Sequence, residues 1–326
     1  MTDSPTNQNP LEYPYDLYQR YNLTTKTVEI LDSAIGHEAP ILEVGGDPDI
    51  LASFLPQESP VIVNSPPHVN DNVIPADGFS LPFKDHSFRG TIVLDVLEHV
   101  PESQRHDFLR EIDRTSSEWL IVGGPFHHDL IQEAESVINS LHKHLTDTTH
   151  TFLEEHQHHG LPDRQDTVEI LQLLDYHTLE IPNGLLWRWM LMMGITIFLQ
   201  KDPADPELLS SIFQFVNKNL APHDNREPAY RHLIICTRKQ LPEKTWQQLS
   251  QLETSSHQPP ESDFTSAWEG ATTALQSLIA GNIRERDERI RNLEGQIHIL
   301  EEFRDQVQKS IPYRIYRQWK RLWKRR

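Results

Sequence analysis

The stretch "ILEVGGDPDI" at residues 41–50 decides the fold, because an apolar run there leads through two glycines into a more acidic segment. The run "ILEV" is typical of a buried strand, and a short helix is predicted to follow at 49–55. A turn that binds a nucleotide-type cofactor usually carries several glycines. The stretch therefore predicts strand, turn and helix, and poses the question of whether this turn binds a ligand.

The same alternation of short apolar runs and helical patterns continues on both sides of this stretch. Further strands are predicted at 61–64, 91–96, 119–124, 176–181 and 230–238, and helices at 15–35, 102–115, 128–147 and 166–174. Short β-rich runs separated by helices indicate an α/β fold, a parallel sheet with helices on both faces. Ligands of such sheets bind at the carboxyl ends of the strands, so the residues that follow each strand are the candidate site.

Composition and charge exclude several classes of protein. The 326 residues include 48 acids against 30 bases, a net charge of −18, so nucleic acid is not an expected partner. The single cysteine, Cys236, excludes a disulfide framework and a cysteine-rich metal site and fits a reducing compartment. The N-terminus lacks a signal sequence, and the apolar segment 185–200 is shorter than the ~20 residues of a spanning helix. We expect a cytoplasmic protein.

Three motifs in the right order resemble the class I S-adenosylmethionine-dependent methyltransferases, of the type 11-like subgroup with small-molecule and glycan substrates. They are "LEVGGDPDI", "ADGFSLPFKDHSF" at 76–88 and "TIVLDVLEHVPE" at 91–102. The resemblance covers roughly 40–126 and extends more weakly to 238. It implies a methyltransferase domain at 1–240 with a doubly wound, mostly parallel seven-stranded sheet of the Rossmann-like type. Helical insertions are expected at about 127–163 and 184–222.

The resemblance also implies S-adenosylmethionine as the cofactor. The residues expected to bind it are Glu43, Gly45, Gly46, Asp47, Asn64, Asp77, Gly78, Phe79 and Asp95. By resemblance Asp77 accepts from the adenine amino group, and Gly78 and Phe79 line the ring.

The sequence departs from the family pattern at four positions. Asp47 and Asp49 replace the second and third glycines of the first motif. Asn64 and Arg89 stand where the family has an acid. The cofactor has no phosphate to cradle, and aspartate tolerates the left-handed conformation, so the turn is still compatible with binding.

Three histidines at predicted strand ends are the candidate catalytic residues. Transfer to a hydroxyl of high pKa needs a general base, and histidine is the commonest one. His99 follows the strand at 91–96, and His127 and His128 follow the strand at 119–124. For His99 the alternative is a hydrogen bond that braces the turn.

The segment 150–163 is rich in histidine, and no metal is expected there. His-x-His directs both side chains to one face only in a strand, whereas this segment runs into the turn "GLPD". We expect a loop on the substrate side of the cleft, in which Glu154, Glu155 and His156 contact hydroxyl groups, or else a solvated polar loop. The apolar segment 185–200 is predicted to be a core helix, or a cap that shapes a pocket for a hydrophobic acceptor.

The C-terminal quarter has a different pattern. A linker is predicted at 241–265 and a coiled coil at 266–310, whose apolar residues recur every seven positions. They are Ile283, Ile290 and Ile297, and Leu293, Leu300 and Val307. This repeat predicts a homodimer, with a single docked helix as the alternative.

The tail at 311–326 is basic and amphipathic. Such helices lie on anionic membrane surfaces, which predicts a peripheral protein at the inner face of the membrane. The alternatives are a solvated helix end and a contact with the acidic body of a partner. A coiled coil with such a tail also resembles the ends of bacterial methyltransferases and glycosyltransferases in surface-polysaccharide assembly.

Together these features predict a methyltransferase that acts on a hydroxyl of a sugar or lipid-linked glycan in cell-surface polysaccharide biosynthesis. Two alternatives stay open. The first is a methyltransferase-like scaffold without catalysis, which the four departures favour, and the second is a methyltransferase of a free small molecule.

Overall fold

The computed structural model describes residues 9–65, 72–201 and 206–254, together with six positions between 284 and 298. The strands are β1 Ile41–Val44, β2 Val61–Asn64, β3 Val73–Pro75, β4 Phe88–Leu94, β5 Ser116–Gly124, β6 His177–Leu185 and β7 Ala229–Thr237. The helices are α1 Tyr15–Ile35, α2 Pro48–Phe54, α3 Arg105–Thr115, α4 Asp129–Thr146, α5 Thr151–His159, α6 Arg164–Leu173, α7 Leu186–Lys201, α8 Pro206–Asn219 and α9 Glu243–Ser250. The predicted tail, and the predicted coiled coil apart from those six helical positions, lie outside the described residues.

The seven strands form one sheet in the order β3-β2-β1-β4-β5-β7-β6. All neighbouring strands are parallel except β7, which runs antiparallel to β5 and β6. The strand order reverses between β1 and β4, which lie side by side in the middle of the sheet. This arrangement confirms the predicted doubly wound α/β fold and puts the expected ligand crevice at the carboxyl ends of β1 and β4.

Strand β1 shows why the sheet is covered on both faces. All four of its residues are buried. Leu42 and Val44 belong to a core cluster with Phe108 of α3, whereas Ile41 belongs to a second cluster with Leu31 of α1. Successive side chains of a strand point to opposite faces, so a continuous apolar run requires helices on each side.

Three elements differ from the sequence-based expectations. Strand β3 was not predicted, since two of its three residues are exposed and the third position of the strand is Pro75. The segment predicted as a histidine-rich loop forms helix α5, which buries Leu153 and His156. Helix α9 lies inside the segment predicted as a linker, and its Leu249 is fully buried in the same cluster as Leu31.

Helices α7 and α8 form the connection between the antiparallel strands β6 and β7. The predicted apolar helix at 185–200 is α7, which packs against α1 and α4 and buries Trp189 and Met190. Within the ranges given above, the structure has no helix long and apolar enough to span a membrane.

Replacing Gly90 by alanine is expected to destabilise the fold by about 3 kcal/mol, at the upper end of overpacking effects. Gly90 of β4 pairs with Trp119 of β5, and a Cβ at Gly90 would come within 2.1–2.3 Å of three indole atoms. Trp119 is completely buried and has no room to move. Urea unfolding measures the loss. The Gly90→Ala/Trp119→Leu double variant should regain part of it, and equal midpoints for Gly90→Ala and the wild type would contradict the packing described.

Candidate functional site

A cavity of about 650 Å³ lies at the carboxyl ends of the central strands. Its wall is formed by α1, by the residues that follow β1, β2 and β4, by α5 and α7, and by the first residues of β7. The strand order reverses between β1 and β4. The helices that follow these two strands cross to opposite faces of the sheet, and this leaves a crevice between them.

In the turn after β1, only Gly45 has a left-handed backbone conformation. Gly45 has a φ of +83°, and a Cβ there would lie 2.3 Å from a methyl group of Val96. Asp47 has a φ of −117°, in the extended region open to any residue, and its carboxylate caps α2 by accepting from the amide of Asp49. The two aspartates therefore replace the family's glycines without straining the turn.

Glu43 packs against Gly46 of this turn and does not line the cavity. Its Oε1 accepts a hydrogen bond of 2.8 Å from the Tyr21 hydroxyl, and its Oε2 has no partner among the residues described. A Cβ at Gly46 would lie 2.1 Å from the Glu43 carboxyl carbon, so Gly46 leaves the space that this side chain fills. Burial raises the pKa of Glu43 to about 8.

Asn64, at the end of β2, braces the other side of the turn and lines the cavity. Its Nδ2 donates to the carbonyl oxygen of Gly46 at 3.2 Å, and its Oδ1 accepts from the Ser65 amide at 2.8 Å. With respect to the described residues, the amide thus keeps one donor and one acceptor lone pair for a ligand in the cavity.

The predicted adenine contacts lie on a separate turn. Asp77 is exposed, and its Oδ1 accepts from the amides of Phe79 and Ser80 at 2.9 and 3.2 Å. Gly78 has a φ of +78° and packs on Phe108, whose ring Phe79 meets edge to face. None of Asp77, Gly78 and Phe79 lines the cavity formed by the described residues.

Asp95 is the central acid of a buried ion-pair network at the carboxyl end of β4. Its backbone has a φ of +50°, a left-handed conformation that is uncommon outside glycine. Arg231 donates to its two oxygens at 2.6 Å each, and Arg20 also pairs with it. Burial alone would raise the pKa of Asp95, but the two guanidinium groups outweigh burial and hold this pKa well below its ordinary value.

Asp16 and Trp189 complete this network, and neither residue was predicted from the sequence. Asp16 lies 2.8 Å from Nη2 of Arg231 and accepts from the indole of Trp189 at 2.7 Å. The Nε of Arg20, which also lines the cavity, is buried without a hydrogen-bond partner in the described part of the chain. These side chains come from elements far apart in the sequence, so no local motif marks them.

A second polar group lies beside the network, where Glu98 and His99 from the turn after β4 meet His156 of α5. Nδ1 of His99 lies 2.8 Å from Oε2 of Glu155. Nδ1 of His156 lies 2.8 Å from Oε1 of Glu135, a residue of α4. Burial and the neighbouring His156 lower the pKa of His99.

The three predicted catalytic histidines are not brought together. His99 lines the cavity, whereas His127 and His128 are exposed and lie outside its lining. Nδ1 of His128 accepts from the amide of Leu130, so this side chain caps α4.

Arg89, one of the four departures, lies at the amino end of β4 and therefore at the opposite edge of the sheet from the cavity. Its guanidinium donates to both oxygens of Asp32, at 2.8 and 2.9 Å, and pairs with Glu58 at 2.9 Å. The arginine thus ties β4 to α1 and to the segment before β2, and its identity has no direct bearing on ligand binding.

Solved structures of similar fold include S-adenosylmethionine-dependent methyltransferases. One from Thermotoga maritima has 14% identity, covers 68% of this chain and 90% of its own, and has a TM-score of 0.43. One from Archaeoglobus fulgidus has 12% identity, 67% and 94% coverage and a TM-score of 0.38. Magnesium protoporphyrin IX methyltransferase from Synechocystis with bound S-adenosylhomocysteine has 11% identity, 69% and 86% coverage and a TM-score of 0.39.

No family model and no curated protein matches the chain. At such identities a structural likeness concerns the fold alone, and these TM-scores add nothing about activity. The sheet order and the single antiparallel strand β7 nevertheless give the chain the Rossmann-like methyltransferase fold that its sequence predicts.

Proposed function

We propose that the protein is an S-adenosylmethionine-dependent methyltransferase whose cofactor binds in the cavity at the ends of β1, β2 and β4. The observation that carries this proposal is the unstrained turn at Gly45, which faces a cavity of about 650 Å³ at the point where the strand order reverses. Such crevices are where open α/β sheets bind their ligands.

The described residues fit the charges of this cofactor. S-adenosylmethionine carries an ammonium group, a sulfonium and a carboxylate, and it supplies an electrophilic methyl group when bound. The unpartnered Nε of Arg20 is a donor suited to the carboxylate, and the carboxylate of Asp16 suits the cationic groups. Asn64 would meet hydroxyl groups with its amide.

The acceptor would enter on the side of α5 and α7. Phe152, Glu155 and His99 line this side of the cavity, and Met193 of α7 adds an apolar edge. Carboxylate and imidazole groups beside an aromatic ring suit a hydroxylated acceptor such as a sugar. The protein would then hold the acceptor hydroxyl in line with the methyl group and exclude water, which is the larger part of catalysing a displacement.

The same proposal includes the finer expectations from the sequence. The acceptor is a sugar or a lipid-linked glycan of cell-surface polysaccharide biosynthesis, with a free small molecule as the alternative. The segment 266–310 joins two copies of the chain, and the basic tail at 311–326 holds them at an anionic membrane surface on the cytoplasmic side. The compositional and heptad patterns support these expectations.

A methyltransferase-like scaffold is the competing function, and the structure weakens two of its supports. Asp47 serves as a helix cap and Arg89 as an ion-pair partner at the far edge of the sheet. Both departures thus have structural roles that leave the turn at Gly45 in place.

Calorimetric titration of the full chain with S-adenosylmethionine and S-adenosylhomocysteine tests the proposal. We expect micromolar binding by the wild type and about tenfold weaker binding by Asn64→Ala, since that variant removes a cavity amide and the brace of the turn. The matched control is Asn219→Ala, an exposed position on α8, which should bind like the wild type. Absence of binding by the wild type at millimolar ligand would overturn the proposal and favour the scaffold.

A further inference from the structure

We propose that Glu98, His99 and His156 form a binding site for one divalent transition-metal ion in the cavity. One ligand atom from each of the three side chains lies within 4.8 Å of the other two. Two imidazoles and one carboxylate are a common donor set for first-row transition metals, and they leave further coordination positions open.

Glu98 is the first observation that points to a cation. Its side chain is only 1% exposed, and neither Oε1 nor Oε2 has a hydrogen-bond partner in the described part of the structure. It is held against the backbone of β5, since a Cβ at Gly124 would come within 3.0 Å of Oε2. A buried carboxylate without partners is costly, and a cation among the three side chains would supply the missing interaction.

His156 is oriented as a metal ligand would be. Its Nδ1 donates to Oε1 of Glu135 at 2.8 Å, and the Tyr230 hydroxyl donates to the same oxygen at 2.8 Å. This bond fixes the ring and leaves the lone pair on Nε2, which lies 4.0 Å from Oε1 of Glu98. Metal-bound histidines usually donate their other N–H to a carboxylate, which fixes the tautomer and raises the basicity of the ligand nitrogen.

His99 lies beside a different carboxylate. Its Nδ1 lies 2.8 Å from Oε2 of Glu155 but makes no hydrogen bond with a described residue in this orientation, so either ring nitrogen can offer its lone pair to a cation. The rings of His99 and His156 have centroids 5.0 Å apart. Two histidines, one of them held by the Glu135 carboxylate, thus lie beside one glutamate without hydrogen-bond partners among the described residues.

The size and the donors of the cluster indicate the class of metal. Ligand atoms around an ion with bonds of about 2.1 Å are ~3 to 3.5 Å apart, so the side chains would close by about 1 Å on binding. Imidazole donors favour zinc, iron, nickel or copper over magnesium and calcium, which prefer oxygen ligands. We infer a zinc- or iron-type ion.

The role of the ion rests on the proposed methyltransferase function. A bound divalent ion polarises an oxygen that coordinates to it and lowers the pKa of a coordinated hydroxyl. The open positions would accept a hydroxyl of the acceptor beside His99, so the ion would take the part that a general base plays in other transferases. The methyl carbon would form a bond to that oxygen as its bond to the sulfonium sulfur breaks, S-adenosylhomocysteine would be the leaving group, and the hydroxyl proton would pass to solvent.

Titration of the metal-free, cofactor-free full chain with Co²⁺, followed by visible absorption, tests the site. Co²⁺ replaces zinc in nitrogen and oxygen sites and has absorption bands that report inner-sphere ligands. We expect one equivalent to bind and Mg²⁺ not to displace it. Glu98→Gln should weaken binding at least about tenfold, and Glu135→Gln should weaken it by about tenfold through loss of the supporting carboxylate.

The chain has 18 histidines, so surface binding has to be separated from the site. The matched control is His158→Gln, an exposed position on the same helix as His156, which should bind Co²⁺ like the wild type. Circular dichroism melting without metal checks that each variant is folded. Equal binding by Glu98→Gln and the wild type, or no stoichiometric binding by the wild type, would overturn the site. Cofactor titration of the metal-free protein fails or succeeds independently of this result.

Discussion

Replacing Arg231 by methionine is expected to lower the free energy of unfolding by about 3 to 5 kcal/mol. Arg231 is 4% exposed, donates to both oxygens of Asp95 and lies 2.8 Å from Asp16. Without the guanidinium, two largely buried carboxylates share the single cation of Arg20. The loss is large because the charges that remain cannot recover their hydration. Urea unfolding at neutral pH measures it.

Two further variants separate this effect from the loss of an ordinary surface charge. Arg110→Met removes an exposed arginine that pairs with Asp107 at 3.8 Å, and it should cost less than about 1 kcal/mol. The double variant Arg231→Met/Asp95→Asn should be more stable than Arg231→Met, because it removes the stranded charge. A loss for Arg231→Met no larger than that for Arg110→Met would show that the network does not hold the fold together.

The stability of the protein is expected to fall as the pH rises from about 5 to 8, and Glu43 contributes to this fall. Burial raises the pKa of Glu43 from 4.5 to about 8 in the folded chain, against the opposing effects of the Tyr21 hydroxyl and Arg20, while Asp47 adds to the rise. The folded state therefore holds this proton more tightly than the unfolded state. The contribution is complete below pH 4.5 and is lost as the pH rises through 8, by up to about 5 kcal/mol.

Glu43→Gln should reduce this pH dependence, because glutamine keeps the shape and still accepts from Tyr21 but does not ionise. The variant should unfold at a higher urea concentration than the wild type at pH 8, and the difference should shrink towards pH 5. The control is Glu169→Gln at an exposed position of α6, which should leave the difference between pH 5 and 8 unchanged. If the stability of Glu43→Gln and that of the wild type depended on pH in the same way, the raised pKa of Glu43 would be contradicted.

Most of the sheet could be predicted from the sequence because its central strands contain short apolar runs. Strand β1 is buried throughout, and so is β7, so each reads as a strand without any knowledge of its neighbours. Strand β3 could not be found in this way, because it is three residues long and Val73 alone is buried. Helix α5 was missed since its buried residues, Leu153 and His156, are too few to set an apolar period.

Only those residues of the candidate site that lie near strand ends could be predicted from the sequence. Gly45, Asn64, Asp95 and His99 lie at the end of a strand or within five residues after it, and the structure places all four at the cavity. The partners of Asp95 could not be found, since Arg231 is 136 positions away and nothing in its own segment marks it.

The prediction that the histidine-rich segment holds no metal depended on treating its histidines as one group. His150, His156, His158 and His159 do not converge. The structure instead brings only His156 to Glu98 and His99, some 57 positions earlier in the chain. The spacing of histidines within one segment therefore cannot predict a cluster whose other residues come from another part of the chain.

The connection between β6 and β7 makes part of the cavity wall exchangeable. Leu185 and Ala229 pair at the end of the two antiparallel strands, so α7 and α8 leave the sheet and return to it at adjacent points. Inserting or shortening chain between two points already held together costs little closure entropy. Chimeras that graft a different helical pair between these two residues should keep the sheet and the Gly45 turn intact while changing the wall of the cavity that α7 forms.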